Sequence, residues 1–256
     1  MTDLAAAAGV LRDLHHRGQP LVLANCWDAA SARLTQELGF AAVATSSAAV
    51  AAVHGAEDSD SMAPDLVFAA VQRIVASVDV PVTADLEAGY RLEPAELVRR
   101  LLAAGAVGCN LEDTDHYGDQ VLVDAATQAE RLAAVKAAGR AAGVDIVVNA
   151  RVDVYLRRHG NPEEQLAETL DRGRLYLEAG ADCVYPIGLA DRATIHTLVR
   201  TLGHPVNIWL NSRAPALPVL AAIGVARVSM GSGLYRRSMD EARRVARQLV
   251  DTARSA

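Results

Sequence analysis

Two carboxylates, two residues apart at the end of an apolar run, are the most chemically pointed feature of this 256-residue chain. The run reads Pro81-Val82-Thr83-Ala84-Asp85-Leu86-Glu87-Ala88-Gly89-Tyr90. Val82 to Ala84 suit a buried strand. Asp85 and Glu87, at i and i+2, point to one face of an extended chain. Neighbouring acids repel unless a cation or a proton lies between them, and Gly89 permits a sharp exit. The stretch reads either as a metal-binding strand end or as a solvated terminus carrying ordinary surface acids.

Other apolar runs end in polar residues of the same kind. Glu112 and Asp113 close one, and Asn149, Arg151 and Asp153 close the next. The Arg151 guanidinium can grip a carboxylate or phosphoryl group with two parallel N–H bonds, or it can simply balance the acids. Thr45, Ser46 and Ser47 offer hydroxyls and backbone N–H groups to an anion, or form a turn. Asn25 and Trp27, Tyr185, Asn211 with Arg213, and Gly231 with Ser232 close the remaining runs. The acids gather on two neighbouring strands, which favours a divalent cation, and an all-oxygen donor set suits Mg2+, with Mn2+ as the alternative, better than zinc. Gly231-Ser232-Gly233 ahead of a helix is a weak phosphate signal. Schiff-base chemistry requires an interior lysine, and the sole lysine, Lys136, is expected mid-helix on the outside.

Positioning these residues requires strands that end side by side. Expected strands are 21–24, 41–44, 80–85, 106–111, 145–150, 182–185, 206–210 and 226–229. Expected helices follow at 29–38, 65–77, 94–104, 125–142, 162–179, 190–202, 214–223 and 234–253, behind a leading helix capped by Asp3. The segment 48–64, which holds Gly55, Glu57, Asp58 and Asp60, reads as a long connection, and His15 and His16 as solvated helix-end residues. Eight strand–helix units behind an extra N-terminal helix predict an α/β chain folded as one (β/α)8 TIM barrel domain over residues 1–256. A doubly wound open sheet is the alternative.

Composition narrows the function. A formal charge of -6 argues against nucleic acid, which calls for a basic face. No uncharged apolar run reaches the ~20 residues of a membrane span. Cys26, Cys109 and Cys183 all fall in or at the ends of apolar runs, as buried reduced thiols of a cytoplasmic protein do.

The strand ends together resemble the isocitrate lyase/phosphoenolpyruvate mutase superfamily, most of all its phosphoenolpyruvate phosphonomutase-like branch. The matching pieces are Asn25 to Ala32, Thr45-Ser46-Ser47, Gly55 with Asp58, Ala84 to Tyr90, Asn110 to Asp113, Asn149 to Asp153 and Gly180-Ala181-Asp182. The resemblance implies a Mg2+ ion held, largely through waters, by Asp85, Glu87 and Glu112, with Asp58 nearby. It implies that Ser46, Ser47 and Arg151 hold an α-keto or hydroxy carboxylate or its enolate. Trp27, Thr45, Asn149 and Asn211 complete the expected substrate-binding set. It also implies a homo-oligomer, dimer or tetramer, with crossing C-terminal helices, for which the apolar stripe of the last helix is a candidate surface.

Two departures bear on the chemistry. Isocitrate and methylisocitrate lyases of this superfamily carry a cysteine loop after the fourth strand. Here that region is Thr114-Asp115-His116-Tyr117-Gly118-Asp119-Gln120, so His116 or Tyr117 is the expected proton donor in place of the thiol. The segment is also short beside the gating loop of the phosphonate enzymes and lacks their asparagine. The expected activity is Mg2+-dependent C–C cleavage through an enolate, with P–C mutase or hydrolase chemistry second and a non-catalytic carboxylate-binding barrel third.

Overall fold

In the computed structural model, which describes residues 3–118 and 121–255, parallel strands alternate with helices along the chain. The described strands are β1 (Leu21–Leu23), β2 (Asn25–Cys26), β3 (Val43–Thr45), β4 (Val82–Asp85), β5 (Gly108–Glu112), β6 (Val147–Val152), β7 (Cys183–Pro186), β8 (Asn207–Trp209) and β9 (Arg227–Ser229). β2 to β7 pair in sequence order, and β1 pairs with β9, which pairs with β8. A parallel bridge from Val184 to Val206 joins β7 to the β8 side, so the ring closes as a (β/α)8 barrel.

β1 and β2 are two pieces of the first expected strand, which passes from β9 to β3 between Leu23 and Asn25. Asn25 fastens the break: its Nδ2 donates to the Thr45 carbonyl and its Oδ1 accepts from Met230 N, each at 2.8 Å. The helices are α1 (Leu4–Asp13), α2 (Ala29–Glu37), α3 (Ser47–Val53), α4 (Pro64–Val75), α5 (Pro94–Ala103), α6 (Ala125–Ala141), α7 (Pro162–Glu178), α8 (Arg192–Leu202), α9 (Leu217–Ile223) and α10 (Gly233–Ser255). Their starts follow sequence signals. Asp28 and Ser31 form a capping box on α2, and Asn161 and Glu164 another on α7, each satisfying backbone N–H groups that a helix start leaves open.

Three expectations need correction. The connection 48–64 begins with α3, whose first N–H groups Ser46 caps; its run of small apolar residues is compatible with a helix as well as a loop. His15 is buried, 4 % exposed, because the chain turns after α1 through a 3₁₀ turn, Leu14–His16, beneath the barrel. Lys136 is buried too, its Nζ within 2.7–3.0 Å of the Ile146 carbonyl, Asp145 and Asp182 at the amino ends of the strands. That end lies opposite the mouth, so the exclusion of lysine Schiff-base chemistry stands. Asp119 and Gln120 of the expected loop lie outside the described residues.

Candidate active site

Parallel register determines which side chains share the barrel interior. Asp85 pairs with Asn110, Asn110 with Asn149, Glu112 with Arg151, and Arg151 with Tyr185. Residues two apart on a strand share a face, so Asn110 with Glu112 and Asn149 with Arg151 point inward together. Asp113, between them in phase, turns outward. Its carboxylate accepts from Tyr176 Oη at 2.8 Å and Arg172 at 3.2 Å, and burial, then the charge of Asp153, raises its pKa to about 6.

The i, i+2 expectation for Asp85 and Glu87 fails two residues past the strand. β4 ends at Asp85 and Glu87 takes φ +50°, a left-handed conformation that turns its side chain out of the strand alternation. Glu87 Oε1 accepts from Tyr90 Oη at 3.0 Å, and Oε2 accepts from the backbone N–H of Asp60. Asp60, Tyr90 and Arg91 also have positive φ, and Asp60 Oδ1 accepts from Tyr90 N at 3.0 Å. Strained non-glycine backbone gathered at one spot marks a surrounding structure that over-determines it.

A cavity of ≈ 180 Å³ opens at the carboxyl ends of the strands. Ser46, Ser47, Asp58, Asp85, Asn110 and Arg151 supply its polar wall, and Leu156, Ile187 and Trp209 part of its apolar side. Ser47 Oγ donates to Asp85 Oδ2 at 2.9 Å and Ser47 N lies 3.2 Å from the same oxygen. Thr45 Oγ1 accepts from Asp85 N at 2.8 Å. Burial, then the charge of Asp85, raises the Asp58 pKa.

Arg151 is 11 % exposed at its side chain and joins Asp153 through Nε at 2.7 Å and Nη2 at 2.9 Å, and Glu112 through Nη1. Its two hydrogen bonds go to Asp153, which leaves the N–H groups of Nη1, beside Glu112, and one N–H of Nη2 without a hydrogen-bond acceptor among the described residues. Glu112 also takes His116 Nε2 on its other oxygen. Burial raises the Glu112 pKa, while Arg151 and His116 pull it down. Burial is the larger effect, so Glu112 lies above the usual carboxylate range even with Arg151 and His116 beside it. Correspondingly, the hydrogen bond to Glu112 raises the His116 pKa.

His116 and Tyr117 do not line that cavity. Together with Asp60 and Glu112 they wall an adjoining space of ≈ 170 Å³. Tyr117 Oη is 2.7 Å from both the carbonyl and Oδ2 of Asp60, and Arg91 stacks 3.5 Å over the Tyr117 ring. The loop therefore latches across the acids onto the segment that carries Asp58 and Asp60.

The structure thus brings Ser46, Ser47, Asp58, Asp85 and Arg151 to one cavity, with Glu112 and Glu87 behind its wall. Four expected ligand contacts sit elsewhere. Trp27 packs edge-on against Tyr235 at 5.2 Å, and Asn211 folds back to accept from Arg213 N and Ala214 N. Thr45 and Asn149 lie beneath the lining, bonded to Asp85 N and Asn110. Sequence reasoning passed over Asn110 and Arg227. Asn110 sits inside a quoted motif, at i−2 from Glu112, and that spacing is the signal that could have found it.

Among the described residues, no three His, Cys, Asp or Glu side chains converge as a ready set of direct metal ligands. The donor set nevertheless suits a hard cation. Burial, then the charge of Asp58, raises Glu87 to about 8, with Glu112 and Asp85 adding to it. Acids that oppose one another's ionisation in this way are relieved by a divalent ion among them, reached here through water molecules.

A (β/α)8 barrel with carboxylates, an arginine and serines at the carboxyl ends of its strands has the form of a barrel enzyme acting on a small anion. The chain matches the phosphoenolpyruvate phosphomutase family over residues 11–250 and belongs to it, within a superfamily of lyases and phosphonomutases. An uncharacterized protein of Mycobacterium tuberculosis is 33% identical over 93% of this chain and 88% of its own length. A solved Burkholderia cenocepacia protein with a provisional phosphonomutase name is 39% identical, with a TM-score of 0.90 over 96% of this chain and 99% of that one. The 2,3-dimethylmalate lyase of Eubacterium barkeri is 29% identical over 70% of this chain and 62% of its own.

Proposed function

We propose that this chain is a Mg2+-dependent lyase that cleaves a C–C bond in a small 2-oxo or 2-hydroxy (di)carboxylate through an enolate. The observation that carries the reading is Arg151, with N–H groups left over from its two hydrogen bonds to Asp153, in the wall of the same small cavity as Asp58 and Asp85. Arg151 binds the substrate carboxylate, and its planar fork orients it. Asp85, with Glu87 and Glu112 behind it, would hold Mg2+. When bound, the ion supplies Lewis-acid stabilisation of the developing enolate oxygen. Ser47 steadies Asp85 with its N–H and O–H, and the Ser46 hydroxyl, which accepts from Ala49 N, keeps its own proton to donate to the same charge. Leu156, Ile187 and Trp209 exclude water from the carbanionic carbon. His116 holds a proton against Glu112, whose other oxygen meets Arg151 at the cavity wall, so Glu112 links the loop proton to the site.

A second reading, P–C bond chemistry on a phosphonate, draws on the family's own description. One panel separates the readings: oxaloacetate, 2-methylmalate-type acids and phosphonopyruvate, each with Mg2+ and with EDTA. Turnover of a C–C substrate that stops in EDTA is expected. Turnover indifferent to EDTA refutes the metal, and turnover of phosphonopyruvate alone favours the second reading. Mg2+-dependent oxalate binding with no turnover makes the chain a carboxylate-binding barrel. No helix among the described residues is long and apolar enough to cross a membrane. Three buried free cysteines accord with a reducing cytoplasm, and one continuous buried core supports a single domain over residues 1–256. α10 has no buried residue and exposes Met239, Val245, Leu249 and Val250, which fits a surface covered by further copies of the chain.

A further inference from the structure

Arg227 lies on β9, inside the barrel, 0 % exposed. Among the described residues its one hydrogen bond runs from Nη2 to Asn110 Oδ1, 3.2 Å, and its Nε and Nη1 find no protein acceptor. A buried guanidinium without a carboxylate partner is rare and costly. Burial accordingly lowers its pKa from the ordinary value, yet an arginine stays charged. The charge therefore needs a reason beyond stability.

The reason lies in the amide it touches. Asn110 Oδ1 accepts from Arg227 Nη2 and, at 2.7 Å, from Asn149 Nδ2, which fills both lone pairs of the oxygen. The Asn110 Nδ2 group is left facing Asp85 Oδ1 at 3.3 Å and the cavity that Asn110 lines. Rotating the amide by half a turn would set NH2 against two sets of donors and the carbonyl against a carboxylate. All three contacts oppose it, so an amide whose two ends have nearly the same shape has one orientation here.

We propose that Asn110 is a ligand-contacting donor of this site and that Arg227 is the residue that holds it in that sense. One Nδ2 hydrogen steadies Asp85, and the other takes an oxygen of the bound carboxylate or enolate. This assignment rests on the reading of the cavity as a site for a small carboxylate. Arg227 acts through Asn110, by fixing the sense of the amide that meets the anion.

The test uses the full chain with Arg227→Met, Arg227→Lys, Asn110→Leu and the Met/Leu double variant. Calorimetry at saturating Mg2+, with oxalate as the probe, is expected to show about tenfold weaker binding for Arg227→Met and for Asn110→Leu, the size of one hydrogen bond to a charged group. The double variant should bind no worse than the weaker single one, because the two residues act through one contact. Arg227→Lys, which keeps a charge and a donor, should recover most of the affinity. The melting temperature of Arg227→Met should not fall, since the substitution removes a buried unpaired charge.

A purely structural arginine would give the reverse, a lower melting temperature with unchanged oxalate affinity, and that result overturns the proposal. Additive losses in the double variant overturn it as well. The lock itself is read without ligand, by NMR of the side-chain amide protons that vanish in Asn110→Leu. They should exchange with solvent faster in Arg227→Met than in the wild type, and equal rates overturn the lock. Wild-type protein that shows the lock but binds no oxalate overturns the carboxylate reading of the cavity, and with it the Asn110 contact, while the lock stands.

Discussion

His15 should make the fold acid-sensitive between pH 6.5 and 4. Its Nδ1 lies 2.9 Å from the Leu11 carbonyl, which can only accept, so Nδ1 carries the proton and Nε2 is bare. Nε2 finds no partner in the protein. Burial first, then the charge of Arg227, pushes the imidazole from the usual 6.5 to about 4, against the Leu11 bond and Asp182, which raise it, with His16 adding a small lowering. The unfolded chain thus binds a proton near pH 6.5 that the folded chain refuses until about 4. The unfolded state binds more protons in that window, so stability falls as pH falls. The full difference corresponds to about 3 kcal/mol, of which about 2 kcal/mol is lost by pH 5. Buried carboxyls with raised pKa, such as Asp113, slope the opposite way, so the measurement is a comparison of slopes. Urea unfolding of wild type and His15→Gln at pH 7.5 and pH 5 should show the wild type losing about 2 kcal/mol more over that interval. Equal losses would mean that the imidazole titrates as a solvated histidine, and the burial argument would be refuted. NMR titration of the His15 ring gives an independent check: it should stay neutral to about pH 4.

The remaining predictions concern the site and the assembly. His116→Ala should lower kcat about 10²-fold or more on a proven substrate, the usual size of a general-acid contribution, with Mg2+ affinity nearly constant. Tyr117→Phe, whose hydroxyl is held by Asp60 outside the cavity, should raise KM by loosening the loop more than it lowers kcat. Full kcat in His116→Ala would move the proton source elsewhere. Glu112→Gln should weaken Mg2+ binding in calorimetry, and unchanged affinity would remove Glu112 from the metal's surroundings. Light scattering should give the mass of two or four chains, and Leu249→Arg with Val250→Arg on α10 should reduce it. A single-chain mass for the wild type would refute the oligomer.

Short apolar runs, glycines and capping residues were enough to place all eight strand–helix units of the barrel, because those signals are local. They also placed the chemistry at the strand ends, since parallel register carries Glu112 to Arg151 and Asp85 to Asn110 once the strands exist. The sequence could not show where a strand stops. Glu87 shares a face with Asp85 only if the chain stays extended, and tertiary contacts to Asp60 and Tyr90 turn it left-handed instead. Nor could it separate side chains at the mouth from those beneath it. Trp27 and Asn211 stand at strand ends like Ser46 and Arg151, yet Trp27 packs against α10 and Asn211 is spent on its own turn. Burial of His15, Lys136 and Arg227 was invisible for the same physical reason. A polar side chain is kept in a protein interior by partners far away in sequence, Asp182 for Lys136 and Asn110 for Arg227, and only the closed barrel brings them together.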